Sequence, residues 1–159
     1  MRSLLIPFAL GALALPASAK DSLGVYSNWA AFRDAETPRC YAIAKPRGEQ
    51  KRGSYVSVAT WPSQRIRNQV HVRLAAPAGA NGSARLRVGR QNFSLLTSGR
   101  DAWASDAKMD AAIVAALRSA NSMSVSARSA GGRRFIDRYD LAGVATAMDA
   151  ATVGCAGLG

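Results

Sequence analysis

The chain is short of the groups that metal and acid–base chemistry need: one histidine, two cysteines, and only ten Asp and Glu against 21 Lys and Arg. His71 with Cys40 and Cys155 cannot make up the usual four-ligand Cys/His zinc sets, so no metal is assigned. Gly-x-Ser-x-Gly elbows, His-Glu-x-x-His helices and phosphate-binding glycine loops are all missing. Ser105-x-x-Lys108 matches the first element of penicillin-recognising enzymes, but the Ser-Asp-Asn and Lys-Thr-Gly elements that accompany it are absent. A helix cap explains Ser105 better. Long apolar runs are scarce too. Only Leu4–Leu15 is continuous, well short of the roughly 20 residues that span a bilayer. No catalytic residue and no cofactor are assigned.

What is present begins with an export signature. Met1-Arg2-Ser3 carries one positive charge, Leu4–Leu15 is the apolar stretch, and Pro16-Ala17-Ser18-Ala19 is a small-x-small end. Residues 1–19 are expected to be a signal peptide cleaved before Lys20, leaving 20–159 as a single domain. Behind such a signal, Cys40 and Cys155 near opposite ends of the domain are expected to form one disulfide. In the chain-entropy account a loop of about 115 residues is worth roughly 4–5 kcal/mol.

Losing Arg2 leaves 20 basic against 10 acidic residues, a charge of +10 spread over the domain. Seventeen of the 21 basic residues are Arg, whose fork suits phosphate and carboxylate better than Lys does. Such an excess favours an anionic partner, while a GC-rich genome is the plainer account of the same composition.

Period-two alternation marks several half-buried strands. Tyr55–Trp61 is the first clear one, ended by Pro62. In Gln69–Leu74, Val70, Val72 and Leu74 share one face while Gln69, His71 and Arg73 share the other. Arg85–Val88 repeats the scheme, and Phe93 and Leu95 continue it beyond a turn at Gly89–Asn92. His71 is thus expected on a polar surface beside Arg73. Arg73, Arg85 and Arg87 form a basic sheet surface if their strands are neighbours. The densest local charge, Lys45–Gly53, is expected to be a solvated loop.

From Ser105 to Asn121 the period changes, with Met109, Ile113 and Leu117 recurring every four residues. This predicts one clear helix over about 105–120, capped by Ser105 with Asp106 at its positive end. Met123, Val125 and Ala127 then alternate, Gly131-Gly132 turns the chain, and Arg133–Leu141 returns as a strand. There Phe135, Tyr139 and Leu141 share a face that Asp137 interrupts, and Asp140 has the opposite parity to Asp137. Alanine-rich Ala142–Ala151 suits a short C-terminal helix. The expected fold is mainly β (α+β), an antiparallel β-sandwich or barrel-like domain.

Residues 26–155 resemble the invasion-associated locus B family of alphaproteobacterial exported proteins. The landmarks run in order: Trp29 with Phe32, Pro38-Arg39-Cys40-Tyr41-Ala42, Lys45-Pro46, then Arg52-Gly53-Ser54-Tyr55-Val56. Phe93 with Leu95 and Asp101-Ala102-Trp103-Ala104 follow. The most specific part is Gly132 through Asp137-Arg138-Tyr139-Asp140-Leu141-Ala142-Gly143 to Cys155. The resemblance implies export and, by the family's name, a link to host-cell invasion in one pathogenic lineage. It brings no catalytic residues.

The resulting expectation is a non-enzymatic protein of the periplasm or envelope that binds or supports an anionic component: lipopolysaccharide, peptidoglycan or anionic lipid. Arg73, Arg85 and Arg87 are its candidate anion-binding residues. No stacking aromatics are interleaved with them, so no dedicated nucleic-acid site is expected. Two alternatives are a secreted adhesion or invasion factor, and a cell-wall hydrolase using His71 or an Asp pair assembled by folding. Asp137 and Asp140 are such a pair by sequence, but their opposite parity points them to different faces. No protein partner can be named.

Overall fold

The computed structural model describes residues 20–48, 53–80 and 82–158; the expected signal segment and the centre of the basic loop lie outside them. In chain order the described strands are β1 (Asp21–Tyr26), β2 (Trp29–Asp34), β3 (Arg39–Ala44), β4 (Tyr55–Trp61), β5 (Ile66–Arg73), β6 (Ala84–Val88), β7 (Gln91–Ser98) and β8 (Asp101–Trp103). Helix α1 (Ala107–Ser119), β9 (Ser122–Arg128), β10 (Arg134–Asp140) and α2 (Val144–Gly154) complete the chain.

The strands form one antiparallel sheet in the order β1-β2-β3-β4-β5-β8-β7-β6-β9-β10. It does not close on itself, so the sandwich-like half of the expectation stands and the barrel does not. The turning point is β7. Its first part, Gln91–Leu95, pairs with β6, and its last, Leu96–Ser98, pairs with β8. A single strand therefore serves both halves of the sheet. The free edge of β10 is covered rather than left open: Arg47 N–H donates to the Arg138 carbonyl at 2.7 Å and its guanidinium pairs with Asp140.

Alternation sends one set of side chains inward. Val56, Val58, Val70, Val72, Leu86, Val88, Val125 and Tyr139 join one buried cluster with residues of both helices. Helix α2 packs on β2 and β3, and α1 packs on β5. Ile113, Val114, Ala116 and Leu117 are the buried face of α1. Its cap is Asp106 rather than the expected Ser105: the Asp106 carboxylate accepts from Met109 N–H at 2.8 Å, and Ser105 donates its hydroxyl to that carboxylate. Aspartate wins because its charge also meets the helix's positive end. The Met109 N–H bond, first in weight, holds this carboxyl below its ordinary value.

Cys40, on β3, is bonded to Cys155 at the end of α2, with Cα atoms 5.6 Å apart. The disulfide ties the closing helix to the third strand of the sheet. At the other end of α2, Gly143 has φ +88 and lies against the Tyr26 carbonyl, where a Cβ would overlap it. Trp29, 1% exposed, donates its indole N–H to the Asp140 carbonyl and so joins β2 to the end of β10.

Candidate anion-binding face and aromatic cleft

The outward side chains fall into two distinct surfaces. On the β6-β9-β10 side, alternation leaves Arg85 and Arg87 of β6, Arg128 of β9, and Arg134 and Arg138 of β10 pointing out, all exposed. Register brings them together. Arg87 and Arg138 both pair with Ser124, from opposite sides. Arg85 pairs with Ser126, whose other neighbour is Ile136, and Arg134 pairs with Arg128. Two open depressions result, of about 280 and 520 Å³. The first lies among Arg87, Ser124 and Arg138, and the second among Arg85, Ser126, Arg128 and Arg134. Among the described residues, none of these five arginines has a carboxylate partner.

The acids are engaged elsewhere. Asp21 pairs with Arg33, Asp34 with Arg39, Asp140 with Arg47, and Asp149 with Arg118. Arg73 belongs to this second group. Its guanidinium grips Asp101 at 2.7 and 2.9 Å, and β8 and β7 stand between its strand and β6. The structure thus brings Arg85 and Arg87 together and leaves Arg73 apart. The three arginines that join them sit in Ser122–Arg128 and Arg134–Asp140, both legible as strands. Only their adjacency to β6 was hidden.

The second surface is the bare face of β3-β4-β5-β8. Tyr41, Tyr55, Trp61 and Trp103 rise around a floor of Ser57 and Ala59, forming a cleft of about 380 Å³. His71 is outward, as its parity requires, but it is no isolated surface residue. Its side chain is 19% exposed. It meets Tyr55 edge-on at 5.6 Å, lies 5.5 Å from the Trp103 ring, and shares a hydrogen bond with Asp101 at 3.0 Å. Burial pushes the Asp101 carboxyl up, but the hydrogen bonds and charges of Arg73 and His71 outweigh it and hold Asp101 below its ordinary value. At the other end of the cleft the Arg39 guanidinium lies 5.0 Å from the Tyr41 ring centre and 5.1 Å from that of Trp61.

These features define an antiparallel sandwich-like domain whose outer surfaces, rather than an enclosed pocket, carry the unusual chemistry. The chain belongs to the family described as Invasion associated locus B (IalB) protein, whose pattern matches residues 29–152. Its fold is similar to the crystal structure of invasion associated protein B from Bartonella henselae. The TM-score is 0.59 at 17% identity, covering 86% of this chain and 97% of that one. No curated protein matches the sequence.

Proposed function

We propose that the protein is an exported, non-enzymatic module that binds an anionic component of the cell envelope through the β6-β9-β10 arginine face. One observation carries this reading: five exposed arginines share a serine-floored face on which none is neutralised by a described carboxylate. Like charges gathered on one surface repel each other, so the arrangement is costly unless an anion relieves it. Each depression offers guanidinium forks and a serine hydroxyl, the donors that phosphate or carboxylate oxygens need.

The hydrolase reading has its own motive in the cleft, since Ser57 pairs with His71 across β4 and β5 and His71 shares a hydrogen bond with Asp101 of β8. The binding reading is the better supported. Ser57 makes no hydrogen bond to His71. Strand β4 is also laddered on both sides, so its N–H groups are committed and leave no oxyanion hole beside Ser57.

The test compares wild type with Arg85→Gln/Arg87→Gln/Arg138→Gln for binding to lipopolysaccharide, anionic vesicles and peptidoglycan, each titrated against salt. Wild type should bind at least one of the three and release it steeply as salt approaches about 1 M, where the screening length falls to about 3 Å. The triple variant should bind at least tenfold more weakly. Arg73→Gln should bind like wild type, because its charge is already spent on Asp101. Binding that survives high salt, or a triple variant that binds like wild type, would overturn the proposal.

A further inference from the structure

The aromatic cleft is chemically unlike the arginine face, and its contents ask for a different ligand. Five of the chain's eleven aromatic residues, Phe32, Tyr41, Tyr55, Trp61 and Trp103, lie on this one outward sheet face. A face turned to water would ordinarily carry polar residues at those positions. Exposed Leu96, paired with Trp103, extends the apolar rim. The aromatic band is therefore built, not incidental, and it is open along one side.

Charge settles what the cleft can take. Each cation at the cleft touches a carboxylate, though the carboxylates are shared: Asp34 meets Arg39 at 3.4 Å and Lys20 at 4.0 Å, and Asp101 meets Arg73 while sharing a hydrogen bond with His71. An anion gains less here than on the arginine face, where no described carboxylate stands beside the guanidinium groups. Hydrogen-bonding capacity is nonetheless plentiful. Gln69, His71 and Ser57 face the cleft, and two donors in its walls, Arg39 Nε and Trp61 Nε1, have no acceptor among the described residues. Flat apolar rings beside uncharged or neutralised polar groups complement a molecule with apolar C–H faces and a girdle of hydroxyls. The size, about 380 Å³, lies near the lower end of ligand clefts at roughly 300–1,000 Å³.

We propose that this cleft is a binding site for an uncharged pyranose glycan, with sugar rings stacked on Trp103 and Tyr55 and hydroxyls held by His71 and Gln69. The site is independent of the arginine face, and either can fail without the other. A linear trisaccharide of β-1,4-linked N-acetylglucosamine is the probe. It is titrated into isotope-labelled protein while backbone and indole N–H signals are followed by NMR.

Saturable shifts should be confined to the cleft and unchanged at about 1 M salt, because stacking does not rely on unscreened charge. Trp103→Ala should weaken binding about tenfold or more, the loss of one stacked ring. Arg85→Gln/Arg87→Gln/Arg138→Gln should bind the trisaccharide like wild type. If Trp103→Ala does not fold, Gln69→Ala replaces it and should weaken binding severalfold. Absence of saturable shifts, shifts that map elsewhere, loss of binding in salt, or a folded cleft variant that binds normally would each overturn the site.

Discussion

Tyr139 is a large side chain, 1% exposed, whose hydroxyl has no hydrogen-bond partner among the described residues. Burial first, and then the nearby Asp137 charge, push its phenol well above the ordinary range, so it stays protonated at any working pH. Deleting an unsatisfied buried hydroxyl removes a penalty rather than a bond. Tyr139→Phe should therefore melt at the same temperature as wild type or higher; a loss of about 1 kcal/mol or more would show that the hydroxyl is engaged. Asp110 presents the reverse situation. Strand β8 ends at Trp103, opposite His71 and one residue short of Val70, and the Asp110 carboxylate on α1 accepts from Val70 N–H at 2.8 Å. Burial, the largest cause, raises the Asp110 pKa, and Asp106 adds to it while the Val70 bond opposes it. A raised carboxyl pKa means that the folded chain holds this proton more tightly than the unfolded chain does. That contribution to stability is full below the ordinary value of 3.8 and is lost as pH rises through the folded value. Asp110→Asn keeps the acceptor without the charge and should melt as high as wild type or higher at neutral pH, with no advantage in acid. Asp110→Ala strands the N–H and should cost about 1–3 kcal/mol. Thermal melts of both variants across pH decide the matter. Asp101 and Asp106, whose carboxyls are lowered, contribute in the opposite sense, above the ordinary carboxylate range, and lose that contribution as the solution is acidified below it.

At the scale of elements, legibility followed contrast between the two faces of a strand. Ser122–Arg128 alternates serine with Met123, Val125 and Ala127, and its strand was plain from the sequence. Arg39–Ala44 was not. Cys40, Ala42 and Ala44 go inward, while Tyr41 and Ile43 go outward, so both faces are apolar and period two disappears. The same aromatic surface that makes the cleft thus hid the strand that carries it. Strand β8 was missed for another reason: three residues are too few to show any period. The candidate arginines divided in the same way. Parity put Arg85 and Arg87 outward correctly, but parity is local, and pairing of β6 with β9 joins residues some 40 positions apart. Asp137 and Asp140, opposite in parity, do part company: Asp137 is fully buried and Asp140 meets Arg47 at the surface. Gly131-Gly132 and the alanine-rich tail gave the last hairpin and α2 nearly as built.

For the whole molecule, the disulfide is a covalent constraint that closes 115 residues between β3 and α2. Cys40→Ser/Cys155→Ser should lower stability by about 2–5 kcal/mol in chemical denaturation. A variant that unfolds at the wild-type denaturant midpoint would show that packing of α2 alone holds the domain shut. Helix α2 lies over β3 and buries Val144, Ala147, Met148 and Ala151. Two of these four are alanines, which bury little area each at roughly 25 cal/mol per Å² of apolar surface. The covalent tie adds to that packing.

That tie also imposes an order in time. Hairpins of β2 to β5 pair between near neighbours in sequence, whereas Cys40 must meet a residue 115 positions further on. Until α2 docks, Cys40 is a lone thiol on an unroofed sheet, open to exchange with another molecule. With only two cysteines the chain cannot mispair within itself; its one available error is with another molecule. Maturation of this domain is in that sense a wait, ended by the arrival of its last helix.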